Sequence, residues 1–174
     1  MIESAPPRPL RLGRGLRVLN VGMVQQSGEV EEYDFSHAAM TVLTGPRNSS
    51  KTTTLKVIDF CFGGRGSVAE ELGAAIDEKY AALSVNIAID GVHYRLLREF
   101  EHGRRGRVKI DDDTDLLVGE VSEWLLGKLG WPSLSIPLGR NAITATQQTP
   151  LPFRSALRHI YRREASWTDV AANE

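Results

Sequence analysis

The stretch Met40–Gly64, "MTVLTGPRNSSKTTTLKVIDFCFGG", decides how this chain is read. The β-branched run "AMTVLTG" stops at Gly45, as a buried strand would, with Thr41–Thr44 as the strand. A helix is expected from about Ser50. Leu55, Ile58 and Phe62 lie at i, i+3 and i+7, and Val57 and Cys61 add a second apolar edge, so the helix should be buried on more than one side. Gly63 and Gly64 end it. Between strand and helix lies "GPRNSSKT", to be set against the phosphate-binding pattern G-x-x-x-x-G-K-[ST]. Gly45, Lys51 and Thr52 fit that pattern; Ser50 stands where it has glycine.

The chemistry of such a loop is mostly backbone. A strand feeds a tight turn whose N–H groups meet phosphate oxygens at a helix N-terminus. The lysine adds a point charge at the β- and γ-phosphates, and the following hydroxyl ligates Mg²⁺. Ser50 puts a side chain where the loop packs closest to the phosphates, at a strain of roughly 1–2 kcal/mol if its φ is positive. Asn48 tolerates a left-handed conformation better. The plainer alternative is a serine-rich strand-to-helix turn with Ser49 as N-cap.

Working outward, "LRVLNVGMVQ" from Leu16 and "EVEEYDF" from Glu29 read as paired strands joined by "QQSG". Residues 1–14 are rich in Pro, Arg and Gly and read as a poorly ordered arm. Downstream, "SVAEELGAAI" reads as one short helix. Asp90-Gly91 predicts a type I′ hairpin turn inside "YAALSVNIAIDGVHYRLLREF". With "EHGRRGRVKIDDD" it suggests an antiparallel meander over about 80–110. "EVSEWLLGKLGW" reads as an amphipathic helix with Val121, Trp124, Leu125 and Leu129 on one face. "FRSALRHIYRREASW" reads as another, after Pro150 and Pro152, giving a helical end over about 119–167.

Composition sets the bounds. The chain has 174 residues, 41% hydrophobic and 25% charged, which suits one packed domain over 15–174. A formal net charge of -1 gives no overall basic field, so any nucleic-acid contact must be a local patch. Cys61 is the one cysteine; it excludes a disulfide framework and reads as buried core. No apolar run reaches membrane-spanning length, and the N-terminus lacks a signal-peptide core, so a soluble cytoplasmic protein is expected. The four histidines show no metal-ligand spacing. "HGRRGR" forms a positive hairpin tip at which Arg104, Arg105 and Arg107 could touch a DNA backbone, or simply be solvated.

The extended match carries more than the octet. "EVEEYDFSHAAMTVLTGPRNSSKTTTLKVIDFCFGG" resembles the opening of the SMC-like ATPases, the ABC-type head group that includes RecF, RecN and the DNA double-strand-break-repair ATPases. Gly45-Pro46 favours that group over kinases or small GTPases. The resemblance covers Arg17 to about Phe100 well and the remainder loosely. It implies an α/β fold: the N-terminal lobe of a P-loop NTPase head, with a mixed sheet and an antiparallel β-subdomain. It also implies that Gly45, Pro46, Arg47, Asn48, Ser49 and Ser50 wrap the triphosphate of ATP. Lys51 would then contact the β- and γ-phosphates, Thr52 would hold Mg²⁺ and Thr53 would touch the α-phosphate. A glutamine loop of the family would fall near "LRHIYRREASW", where Glu164 aligns best and Gln147 and Gln148 are other candidates; Arg163 and Glu164 read more simply as a solvated helix end.

Missing parts shape the functional expectation. The family needs four apolar residues followed by Asp-Glu; "VNIAID" and "VKIDDD" end in Asp90 and Asp111, but both lie in turn-like surroundings. There is no "L-S-G-G" segment. In the family both elements lie in a C-terminal lobe, so the chain reads as a fragment of a longer ATPase or as a short protein completed by another chain, with ATP-dependent pairing of heads. The expected role is ATP binding in DNA repair or defence against foreign DNA. The rivals are a pseudo-ATPase interaction module and, less favoured, a nucleotide kinase.

Overall fold

Strand β1, Leu16–Gln25, lies inside the sheet and is paired on both edges. The computed structural model describes residues 15–35, 43–44, 51–101, 104–132, 135–137 and 148–160. On one side β1 pairs with β2, Val30–Asp34, and on the other with β3, Tyr80–Ile89, both antiparallel. The sheet continues through β4, Val92–Glu99, β5, Arg107–Ile110, and β6, Thr114–Leu117, in the order β2-β1-β3-β4-β5-β6.

All five ladders are antiparallel. The meander expected over 80–110 is present, but as part of the same sheet as the first hairpin and not as a separate subdomain, because β1 takes β3 as its second partner. The mixed sheet is not seen among the described residues. Leu43 and Thr44, the described half of the strand expected at 41–44, carry no ladder. The turn between β3 and β4 is as expected: Asp90 has φ 48° and Gly91 φ 86°, the two positive values that a type I′ turn needs.

One helix, α1, Lys51–Cys61, lies over one face of the sheet. Val57, Phe60 and Cys61 are buried against Val21, Leu83, Val85, Ile87 and Leu96 of the strands. Phe62, just past the helix, is buried as expected. The edge of Val57 and Cys61, extended by Phe60, is the core face, while Leu55 and Ile58 are half-buried.

The single helix expected at 67–76 is two. Helix α2, Val68–Glu71, starts with a capping box between Ser67 and Glu70, and α3 spans Ala74–Lys79. Gly73 separates them with φ 106°, which an L side chain rarely adopts. Helix α4, Val121–Lys128, buries Val121 and Leu125, with Trp124 edge-on to Tyr94 at 5.1 Å. A ladder of β7, Ser135–Pro137, and β8, Gln148–Pro150, interrupts the helical end before α5, Phe153–Ile160.

A buried cation fastens α1 to the sheet. Arg98 on β4 is 5% exposed. Its Nη1 donates to the carbonyls of Phe60, at 2.9 Å, and Gly64, at 2.8 Å, and its guanidinium lies 3.5 Å from the centre of the Phe60 ring. The last turn of α1 has no basic residue of its own, so Arg98 supplies the positive charge that a helix C-terminus favours. Arg98→Ala should cost roughly 2–4 kcal/mol of folding free energy, since it strips charged hydrogen bonds from buried carbonyls and leaves a void. The exposed neighbour Arg95→Ala should cost less than about 0.5 kcal/mol. Urea unfolding of both variants is the check, and equal losses would remove the anchoring role.

Candidate functional site

The helix end facing the glycine loop begins at Lys51. Gly45, Pro46, Arg47, Asn48, Ser49 and Ser50 lie outside the described residues. Lys51 opens α1, Thr52 is exposed, Thr53 is half-buried and Thr54 is buried. The first turn of α1 contains no acidic residue, so no carboxylate of its own offsets the partial positive charge of its N–H groups. The opposite end is closed by Arg98 and also held from the side. Asp59 accepts two hydrogen bonds from Arg154 on α5, at 2.9 and 2.6 Å, and Glu71 accepts a third at 3.3 Å. The Asp59 hydrogen bond holds the Arg154 guanidinium above its ordinary range, against a smaller desolvation effect. Helix α1 is thus fixed by its C-terminal half, while Thr52 in its first turn stays exposed.

The acids weighed as metal or water ligands do other work. Asp90 Oδ1 accepts from the Gly15 amide at 2.7 Å, and Asp111 Oδ1 accepts from the Arg95 amide at 2.8 Å. Asp111, like Asp90, has positive φ, at 52°. Both sit in turns, as their surroundings in the sequence suggested, and their side chains tie those turns to the start of β1 and to β4. Among the described residues no group of three His, Cys, Asp or Glu side chains could hold a metal ion. Glu164 and Gln147 fall outside the described residues, and Gln148 pairs with Pro137 in the β7–β8 ladder.

The three arginines of the hairpin tip are engaged. Arg104 and Arg107 each reach Asp115 Oδ2 at 2.9 Å, and Arg104 also lies 3.6 Å from Glu99. Arg105 donates to the Phe100 carbonyl at 3.0 Å and lies 3.8 Å from Asp77. A DNA phosphate arriving at Arg104 or Arg107 would compete with Asp115.

Two arginines that sequence reasoning passed over matter here. Arg98 was detectable: Tyr94, Leu96, Arg98 and Phe100 share one parity along β4, so an inward-facing strand must bury the arginine with them. Arg154 gave no such signal, because its partner Asp59 is 95 residues away. A cleft of about 430 Å³ lies beside Arg154, with Gly63, Arg65, Ser122, Glu123 and Leu126 among its walls.

Among known proteins, no family model matches this chain and no curated protein matches it significantly. No helix among the described residues is long and apolar enough to cross a membrane.

Cys61 is fully buried, and that burial pushes its thiol up to about 12, with the Arg98 charge pulling weakly the other way. The folded thiol therefore stays neutral and unreactive at pH 8, and a thiol reagent should modify it only as fast as the protein opens. The raised value also fixes the sign of the pH effect. The stabilisation is complete below the unfolded thiol value of about 8.5 and is lost as pH rises toward 12. Labelling at pH 8 with and without urea is the check; rapid labelling of the native protein would contradict it.

Proposed function

We propose that this chain is the ATP-binding lobe of an SMC-like, ABC-type ATPase head acting in DNA transactions, either repair or defence against foreign DNA. In this reading residues 45–50 wrap the triphosphate, Lys51 neutralises the β- and γ-phosphates, Thr52 holds Mg²⁺ and Thr53 meets the α-phosphate. One observation carries it. Helix α1 opens at Lys51, directly after the loop "GPRNSS", with Thr52 exposed in a first turn that has no acid of its own. Burial and Arg98 hold the rest of that helix still, so a phosphate would meet amides already oriented.

Hydrolysis requires further parts. Phosphoryl transfer to water needs a positioned water, a metal held on several sides and charge on the γ-phosphate. Asp90 and Asp111 are committed to turns, which leaves Thr52 as the metal ligand of this reading. The missing acids and the signature segment would come from a C-terminal lobe of the same or another chain, with two heads enclosing two nucleotides. The commitment of both acids to turns also favours a second reading, a nucleotide site that docks partners without turnover.

Calorimetry separates these from a bare strand-to-helix turn. Mg-ATP should bind the parent weakly, and Lys51→Ala should weaken it about tenfold or more. Ser50→Gly should tighten binding by relieving strain and opening the loop backbone to oxygen. Equal affinity of parent and Lys51→Ala would remove the phosphate-loop reading. Separately, the isolated chain should release no phosphate from ATP above background. Steady turnover abolished by Lys51→Ala would place catalytic acids within this chain and overturn the half-site reading.

A further inference from the structure

A second cleft, of about 270 Å³, opens between α2 and the far end of the meander. Arg65, Arg98 and Arg105 line it, with Glu99 as the acid in its wall and the carboxylates of Glu71 and Glu70 accepting from the Gly66 and Ser67 amides at its edge. Three cations around so small a volume repel one another unless anions intervene.

Their bonding leaves capacity for a ligand. Arg98 uses Nη1 for the two helix carbonyls, while its Nε and Nη2 make no hydrogen bond among the described residues. Its carboxylate neighbour Glu71 acts on it electrostatically without a hydrogen bond to it among the described residues. Asn20 Oδ1 is the one buried side-chain polar atom found without a partner among those residues, so the remaining Arg98 nitrogens are not sealed off from the cleft. Burial holds the Arg98 guanidinium down at about 10, below its ordinary value. Arg65 is exposed and makes no hydrogen bond or ion pair among the described residues. Arg105 spends Nε on the Phe100 carbonyl and holds Asp77 only loosely, at 3.8 Å, so its Nη groups can turn. A cation almost excluded from water, on which the Glu71 carboxylate acts through space without a hydrogen bond, gains from an anion that brings several acceptor oxygens.

We propose that this cleft binds a phosphate dianion, either free or as the terminal phosphomonoester of a larger molecule. Arg98 forms its floor, and Arg65 and Arg105 close on it from the rim. Planar guanidinium groups suit tetrahedral oxyanions through paired N–H donors, and the volume accepts a phosphate group. The site is independent of the glycine loop, and its test is built to keep the two apart.

The probe is inorganic phosphate, titrated into the Lys51→Ala chain to weaken any contribution of the glycine loop, with binding followed by thermal shift and calorimetry at constant ionic strength. Saturable stabilisation is expected. Arg65→Gln combined with Arg105→Gln should weaken it about tenfold or more, leaving the buried Arg98 anchor in place. Arg104→Gln with Arg107→Gln removes the same charge away from this cleft and should leave phosphate affinity within about twofold. A short oligonucleotide with a 5′-phosphate, set against its 5′-hydroxyl counterpart, distinguishes the sources. Tighter binding only of the phosphorylated form assigns the site to a phosphorylated end, and no gain over inorganic phosphate assigns it to the free ion. No saturable response in the Lys51→Ala chain, or an equal loss in both double variants, would overturn the proposal.

Discussion

The guanidinium of Arg98 is the contact on which the placement of α1 depends. A helix accumulates negative partial charge at its C-terminus, and here that end lies under the sheet, where water cannot answer it. The sequence of α1 supplies no cation, so β4 does, through Phe60 and Gly64. Because the cation projects from a paired strand, near the end of β4, it fixes where the helix ends and, since a helix is stiff, where it begins. The geometry around Lys51 is thus set from its opposite end, by a residue that no phosphate-loop motif includes.

Arg154 adds a second restraint of a different kind. Its bidentate hold on Asp59 joins α5 to α1 and, through Glu71, to α2. The neighbouring helices α1 and α2 and the distant α5 meet at one guanidinium at the edge of the core. Breaking such a partly buried pair from one side strands a charge, so the junction resists piecemeal change. Rigidity is concentrated around residues 54–64, where burial and hydrogen bonding coincide, and falls off toward the exposed Thr52.

Local chemistry made part of this visible in the sequence. Asp90-Gly91 announced its turn because few dipeptides accept two positive φ angles in succession, and the ten residues of β1 were readable from their first to their last. The apolar period of α1 gave a helix and placed Val57, Cys61 and Phe62 in the core, but Leu55 and Ile58, as apolar as Val57, are half-buried, because only packing chooses between them. The break at Gly73 was missed because "EELGAAI" also suits a continuous helix. Pairing of β1 with β3 was beyond sequence reasoning, as nothing local to either strand names the other. The candidate phosphate site was legible as a motif, while the arginines around α1 act through partners far along the chain.

The seam between β1 and β3 also has a kinetic meaning. Each neighbouring hairpin, β1 with β2 and β3 with β4, closes over a short turn and can form on its own. Joining them cannot be local: Gln26 donates its side-chain amide to the Tyr80 carbonyl, 54 residues away, and the intervening chain holds α1, α2 and α3. Closing that loop spends entropy before the ladder returns any of it. On topology alone the two hairpins are expected to form before the seam, with their meeting the slower step. Arg98, whose partners lie on the intervening segment, ties that segment to β4.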